Sequence, residues 1–266
     1  MIIAFFIVYH KIIFYDDLLK KKTMYPYLFS IFKKHKNLII GFSRKRDGSM
    51  KLTGDFLRDK TSFENRQRFF EKLGIKLSSI VSAGLIHSNN VQIVDIGDAG
   101  KIIPDTDGLI TNSKGIFLSI TVADCLPVFF YDDENKVIAL SHAGWRGLHK
   151  NILQITVEKM NKSFGSKPQD ILVGIGPSIS KCHYEIGKDL KEKFDLTSRE
   201  IFVKRKEKTF LDLKKVGEIQ LLNVGIKKQN IEISQECTFC MPHKYFSYRR
   251  DKPKIVQAMI AVIGMK

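Results

Sequence analysis

The chain has 266 residues, 44% of them hydrophobic, with 44 basic against 28 acidic side chains and a formal net charge of +16. That is enough for one substantial core. The 34 lysines are scattered over the whole length, so the charge describes a solvated surface favourable to anions rather than a dense nucleic-acid-binding tail. Four cysteines in so long a chain exclude a disulfide scaffold and point to a reducing, cytoplasmic setting, and no repeat or Gly/Pro/Ser-rich linker divides the sequence.

Met1 to Tyr9 is apolar, but it has no basic leading segment and meets His10-Lys11 too early to span a bilayer or to serve as a signal peptide. Residues 1–23, which end just before Met24 and contain Lys20-Lys21-Lys22, are expected to be an extension or a mis-assigned start, with one domain over 24–266. Leu38 to Phe42 reads as a strand, followed by a basic turn from Ser43 to Gly48. Ser62 to Leu73 has a helical period, with Phe63, Phe69, Phe70 and Leu73 available to one face and Gly74 as a stop. Ile80 to His87 reads as a strand that delivers His87 at its end.

Two apolar segments, Pro127 to Tyr131 and Lys136 to His142, flank Asp132-Asp133-Glu134-Asn135, which reads as a four-residue hairpin loop. If Tyr131 lies opposite Lys136, then Cys125 lies opposite His142 and both side chains point to one face, with Cβ atoms about 4.5–5.5 Å apart. One tetrahedral ion bridges such a gap, since Zn–S is about 2.3 Å and Zn–N about 2.0 Å. The same pairing fits a buried cysteine beside a hydrogen-bonded core histidine, and the pairing alone does not choose. A one-residue slip would separate the two side chains, and Pro127 is expected at a sheet edge or bulge.

Gly147 to Phe164 reads as a helix with His149 at its surface, and Ile171 to Ile175 as a buried strand ending in a tight Gly176-Pro177 turn. Phe210 to Val224 reads as a second apolar-faced helix. Ile255 to Ile263 reads as a strand buried on both faces inside a sheet. Cys182 with Cys237-x-x-Cys240 raises a structural zinc as a rival to plain buried thiols, but a lone CxxC pair is a weak signal and no matching partner pair exists. The irregular order of segments argues against a doubly wound fold and for an α+β domain of mixed sheets covered by helices.

Ala123-Asp124-Cys125-Leu126-Pro127-Val128 followed by His142-Ala143-Gly144-Trp145-Arg146-Gly147 resembles the signature of the YfiH-type laccase-domain family. These are regarded as purine nucleoside phosphorylases and were formerly called polyphenol oxidases. Asp107-Gly108-Leu109-Ile110-Thr111, Gly176-Pro177-Ser178-Ile179, Tyr184-Glu185-Ile186-Gly187, Cys237-Thr238-Phe239-Cys240 and Phe246-Ser247-Tyr248-Arg249-Arg250-Asp251 extend the resemblance in the family's order. Asn65-Arg66 also matches. Leu85-Ile86-His87 keeps the family histidine but has Leu85 where glutamine is usual, and the basic turn at Arg44 and Arg46 lacks the usual paired glycines.

The resemblance implies a four-layer αββα arrangement with two mixed sheets in a single domain. It makes His87 the third ligand beside Cys125 and His142, a three-ligand set of the kind that leaves a catalytic zinc one open position. The implied reaction is phosphorolysis of adenosine, inosine or S-methyl-5′-thioadenosine to the free base and a pentose 1-phosphate, with adenosine deamination as a further activity of the family. Arg249 and Arg250, then Arg146, are the candidates for holding phosphate, because a guanidinium grips it with two prongs. Pairing with Asp251 or Asp124 is the structural alternative for each. Tyr248 or Phe246 is placed to stack on the base.

Three other functions share these residues or this charge. A Cys/His/His set also suits copper, as an adventitious occupant or in a polyphenol oxidase, although seven histidines in all are too few for a multinuclear copper centre. Cys125 activated by His142 would make a thiol hydrolase acting on amide or peptide bonds, for instance in peptidoglycan precursor editing. A basic nucleic-acid-binding protein is the non-enzymatic alternative, disfavoured because aromatics interleaved with arginine are confined to Tyr245 to Arg250. The expected partners are therefore purine nucleosides and phosphate, without nucleic acid or membrane, in a monomer or homodimer.

Overall fold

The computed structural model describes residues 29–194 and 199–266, so the expected extension over 1–23 lies outside the described residues. In chain order the strands are β1 (Leu38–Phe42), β2 (Ile80–Ala83), β3 (Val91–Ile93), β4 (Ile102–Ile103), β5 (Gly108–Thr111), β6 (Phe117–Val122) and β7 (Leu126–Asp132). They continue with β8 (Val137–Ala143), β9 (Leu172–Ile175), β10 (Glu185–Ile186), β11 (Phe202–Arg205), β12 (Lys208–Leu211), β13 (Ile231–Ile233) and β14 (Met259–Met265). The helices are α1 (Phe56–Lys72), α2 (Trp145–His149), α3 (Ile152–Phe164), α4 (Lys188–Glu192), α5 (Leu213–Asn223) and α6 (Tyr248–Asp251).

Period-two alternation builds the layers. Met259, Ala261 and Ile263 of β14, with Leu118 and Ile120 of β6, share one buried cluster with Phe129 and Tyr131 of β7 and Ile138 and Leu140 of β8. Ile260 and Val262, out of phase by one, pack instead on Phe69 and Phe70 of α1. On the far side, Val128, Phe130, Val137 and Ala139 meet Leu153, Val157 and Met160 of α3 and Val216 and Leu221 of α5. The order is therefore helix, sheet, sheet, helices, the expected αββα stack. Each fully buried aliphatic or aromatic side chain contributes about 1.5–3 kcal/mol, so both faces of both sheets stabilise the fold.

The five-stranded sheet runs β1-β14-β6-β2-β4 and the six-stranded one β13-β9-β7-β8-β5-β3, with a third sheet β10-β12-β11. The two large sheets are mixed: β2 is parallel to β6, and β13 to β9, among antiparallel neighbours. As expected, the last strand lies inside a sheet, between β1 and β6, but it begins at Met259 rather than Ile255, and Ile255 and Val256 are exposed. Among the described residues no helix is long and apolar enough to cross a membrane.

Side chains moved several expected boundaries. α1 starts at Phe56 rather than Ser62, because the Asp55 carboxylate accepts the N–H groups of Leu57 and Arg58. The helix expected over 147–164 is two helices, broken at Asn151, which takes a left-handed φ of 58°. Phe210 belongs to β12, and α5 begins only after Asp212, whose carboxylate caps the Lys215 N–H. Pro127 lies in an interior strand rather than at an edge, near the end of β7. There the ladder to β9 has closed at Val128 and Ile175, and the Pro127 carbonyl accepts the Gly176 N–H at 2.9 Å.

Candidate metal centre and ligand pocket

The hairpin register differs from the expected one by two residues. Tyr131 lies opposite Ile138 and His142 opposite Pro127, so Cys125 is not the direct partner of His142. The Asp132 carboxylate accepts the N–H groups of Glu134 and Asn135, which keeps Asp132 in the strand and moves the turn one residue along, and Lys136 closes it with a φ of 53°. Because side chains alternate with period two, a shift of two leaves Cys125 and His142 on the same face as diagonal neighbours. Gly144, just past β8, packs close to the Cys125 thiol: an added Cβ would lie 2.9 Å from the Cys125 Sγ and 3.4 Å from the His87 ring.

His87 arrives from the other sheet. β2 ends at Ala83, short of the expected Ile80 to His87 strand, and the chain turns through His87 with a left-handed φ of 60°. The buried Asp107 carboxylate holds that turn by accepting the N–H groups of His87 at 3.0 Å and Ser88 at 2.7 Å and the Ser88 hydroxyl at 2.8 Å. It also pairs with the His142 Nδ1 at 2.8 Å. One carboxylate thus orients the His142 imidazole, the arrangement found behind metal-ligating histidines, and fixes the backbone turn that carries His87. The ligand atoms of His87, Cys125 and His142 all lie within 4.8 Å of one another, close enough to hold one metal ion.

Without an ion, the electrostatics favour a thiolate–imidazolium pair, whose His142 proton at Nε2 must leave when a metal binds. Burial alone would raise the Cys125 thiol, but the charge and hydrogen bond of His142, followed by those of His87, bring it down to about 6. Burial would lower His142, but the Cys125 thiolate and the Asp107 carboxylate raise it to about 9. Burial would raise the Asp107 carboxyl, yet hydrogen bonds from His142 and Ser88 hold it below its ordinary value.

A cavity of about 480 Å³ opens over the three side chains, and Arg146, Arg249 and Tyr248 line it. Arg146 lies over the Trp145 ring at 4.3 Å, and Arg249 over the Tyr184 ring at 4.9 Å with a hydrogen bond to the Glu185 carbonyl. Tyr248 is 56% exposed at the mouth. Two expected contacts are absent from the lining. Arg250 donates to the Asp251 carboxylate and to the carbonyls of Thr238, Phe239 and Tyr245, so its guanidinium holds a loop and has no donor left for an anion. Phe246 is 5% exposed and packs between the sheets.

Sequence reasoning did not single out Asp107 or Tyr184 for a role, and gave Asp124 only as an ion-pair partner for an arginine. Asp124 takes a φ of 89°, and its carboxylate accepts the Thr238 hydroxyl at 2.6 Å, the Ser247 hydroxyl at 3.0 Å and the Arg249 N–H at 2.7 Å. It ties Cys125 to the arginine loop, in a conformation that costs a non-glycine residue about 1–3 kcal/mol. Burial, and then the neighbouring Cys125 charge, push the Tyr184 phenol up to about 12. Their family motifs were the only signal, because nothing local says that a carboxylate reaches a histidine in another strand.

Gly144→Ala tests the packing. The Gly144 φ of −75° suits any residue, so the backbone tolerates alanine while its methyl crowds the thiol. Metal occupancy of this centre is expected to fall by tenfold or more with the melting temperature nearly unchanged. Occupancy equal to the parent in a metal assay would show that the crowding is absorbed elsewhere.

Comparison with known proteins adds to this geometry. Residues 41–266 match the family model described as multi-copper polyphenol oxidoreductase laccase. The chain is 33% identical over 256 residues to the purine nucleoside phosphorylase YlmD of Bacillus subtilis, covering 88% of this chain and 91% of that protein. It is 30% identical over 191 residues to the adenosine deaminase RL5 of an unknown prokaryotic organism, covering 67% of this chain and 72% of that protein. The crystal structure of Bacillus licheniformis YfiH superposes with a TM-score of 0.82 at 30% identity, over 88% of this chain and 94% of that one. With the αββα stack and the clustered His87, Cys125 and His142, these matches make the chain a member of the laccase-domain family of YfiH and YlmD.

Proposed function

We propose that the protein is a zinc-dependent purine nucleoside phosphorylase, taking adenosine, inosine and S-methyl-5′-thioadenosine with phosphate to the free base and a pentose 1-phosphate. Adenosine deamination is a second activity of the same pocket. The observation that carries this reading is the convergence of His87, Cys125 and His142 beneath a cavity that also presents Arg146 and Arg249. Its volume of about 480 Å³ is within the range of small-molecule sites. The donor set fits zinc: one thiolate and two imidazoles, with Asp107 behind His142. When bound, the ion supplies a Lewis acid that polarises an oxygen of the reactant.

The chain's own groups do the rest. In phosphorolysis the bond from C1′ to the base nitrogen breaks, its electron pair leaves with the base, and a phosphate oxygen bonds C1′. Arg249 and Arg146 hold the phosphate where that oxygen faces the sugar. Tyr184, with its phenol at about 12, stays protonated at neutral pH and donates a hydrogen bond inside the pocket. Tyr248 covers the base at the mouth. Four free thiols suit a reducing compartment, the cytoplasm in this reading.

Zinc-loaded protein incubated with adenosine or inosine, with and without phosphate, is expected to release adenine or hypoxanthine in a phosphate-dependent way, followed by chromatography. His142→Ala should lose at least 100-fold. No base release, or a His142→Ala protein as active as the parent, would refute the proposal.

A second reading has a specific observation in its favour: Cys125, His142 and Asp107 also form a nucleophile, base and orienting carboxylate, with the thiol at about 6. Alkylation separates the two. In metal-free protein the thiolate is present above about pH 6, and labelling should slow tenfold per unit below that. Zinc that protects Cys125 and is needed for turnover supports the phosphorylase; active zinc-free enzyme killed by alkylation supports a thiol hydrolase. Copper is the adventitious occupant in this reading. Among the described residues, the two metal-capable groups contain only three histidines between them, His87, His142 and His183.

A further inference from the structure

The second metal-capable group is Cys182, His183, Cys237 and Cys240, whose four ligand atoms also lie within 4.8 Å of one another. Topology brings them together. β9 and β13 are parallel neighbours, with Val173 beside Ile231 and Ile175 beside Ile233, so the chain leaves both strands at the same end. The two departing segments stay joined: Ser234 N–H donates to the Ile175 carbonyl at 2.9 Å, and Thr238 N–H to the Ser178 carbonyl at 3.1 Å. One segment carries Cys182 and His183 and the other the Cys237-x-x-Cys240 turn. The partner pair that CxxC lacks in the sequence is thus Cys182 with His183, supplied by a neighbouring strand.

The geometry is that of a four-donor cage. The Cys182 Sγ is 3.5 Å from the Sγ of Cys237 and 3.5 Å from that of Cys240, and the Cys240 Sγ is 3.2 Å from the His183 Nδ1. Donors about 2.3 Å (sulfur) and 2.0–2.1 Å (nitrogen) from a tetrahedral zinc stand roughly 3.3–3.8 Å apart. Disulfide sulfurs would be about 2.05 Å apart. The His183 ring is held flat against Phe239, with centroids 4.1 Å apart. The Ser180 N–H points at the Cys237 Sγ at 3.4 Å, the kind of outer contact that orients a thiolate ligand. The buried Lys214 ammonium, bonded to the carbonyls of Ser234 and Glu236 at 2.7 and 2.9 Å, brings a positive charge to the start of the same turn. Three thiolates, one imidazole and Zn²⁺ carry a net charge of −1, which that ammonium balances.

We propose that Cys182, His183, Cys237 and Cys240 bind a structural zinc ion, separate from the centre at His87, Cys125 and His142. Four protein ligands leave no open position, so this ion clips two loops and takes no part in turnover. Its turn is wired to the pocket: Arg250 grips the Thr238 and Phe239 carbonyls within the CxxC, and the Thr238 hydroxyl donates to Asp124, which in turn holds the Arg249 N–H. The clip therefore steadies the loop that presents Tyr248 and Arg249.

Metal analysis of protein purified under reducing conditions tests this independently of any activity. The parent is expected to hold two zinc equivalents, Cys125→Ser one, and Cys240→Ser one. Cobalt(II) loaded into Cys125→Ser should give tetrahedral visible bands and intense sulfur-to-metal charge transfer, and Cys240→Ser should lose that spectrum's three-thiolate intensity. Should Cys240→Ser fail to fold, alkylation of the folded parent decides: Cys182, Cys237 and Cys240 should be protected until a strong chelator is added. A single equivalent that vanishes with Cys125→Ser, labelling of the three thiols unaffected by chelator, or a disulfide among them in reduced, anaerobic preparations would each overturn the proposal.

Discussion

Asp107→Asn is expected to weaken metal binding at His87, Cys125 and His142 by roughly 10- to 100-fold, the usual cost of losing a carboxylate behind a histidine ligand. Every group that meets the Asp107 carboxylate is a donor when His142 is a ligand through its other nitrogen: the His142 Nδ1–H, the N–H groups of Ile86, His87 and Ser88, and the Ser88 hydroxyl. Asparagine keeps one acceptor and turns an NH₂ onto the remaining donors, in a place fully closed to water. Lost hydrogen bonds to a charged group cost about 1.5–3 kcal/mol, so the fold should lose stability by a similar amount. Chelator competition measures the affinity, and circular dichroism the melting. A positioning role predicts that both change while the number of metal ions at saturation does not. Affinity equal to the parent would leave Asp107 as a purely structural residue.

Two adjacent arginines should part company. Arg249→Gln is expected to raise KM for phosphate by tenfold or more with little change in melting temperature, because its guanidinium lines the pocket and makes one backbone bond. Arg250→Gln should do the reverse. Its guanidinium pairs with Asp251 through two bonds and holds three carbonyls. Asp251 is about a third exposed, so the ion pair itself contributes little, but losing the hydrogen bonds from the charged guanidinium to three carbonyls costs about 2 kcal/mol, which for a chain of this size lowers the melting temperature by roughly 4–8 °C. Steady-state kinetics with varied phosphate, set beside thermal melts, reads both effects. Equal KM changes with equal melts for the two variants would mean that the pocket does not use Arg249 for phosphate.

The sequence made much of this site legible, and for a definite reason. Cys125 and His142 were placed on one face by strand alternation, and that inference survived a register two residues away from the expected one because the period is two. The slip came from Asp132, whose carboxylate caps the turn N–H groups, a choice that four polar residues in a row do not announce. Helix interiors and the buried last strand followed from apolar periodicity, whereas helix starts followed from capping side chains such as Asp55 and Asp212. Arg249 and Arg250 are chemically identical neighbours in sequence. Only the loop around Thr238 and Tyr245 sends one into the pocket and the other into its wall.

Local pattern by itself determined the strand faces and the α+β class of mixed sheets, while the family motifs implied the αββα stack and the clustering of His87 with Cys125 and His142. Those depend on period and residue type, which neighbours in the chain carry. What only the tertiary structure decided is which distant groups meet: Asp107 behind His142, Asp124 beneath the arginine loop, and His183 with Cys182 across from Cys237 and Cys240. Such encounters depend on which strands become neighbours and in what direction they leave the sheet. Those choices are settled by packing of the whole core, and no single stretch of sequence contains them.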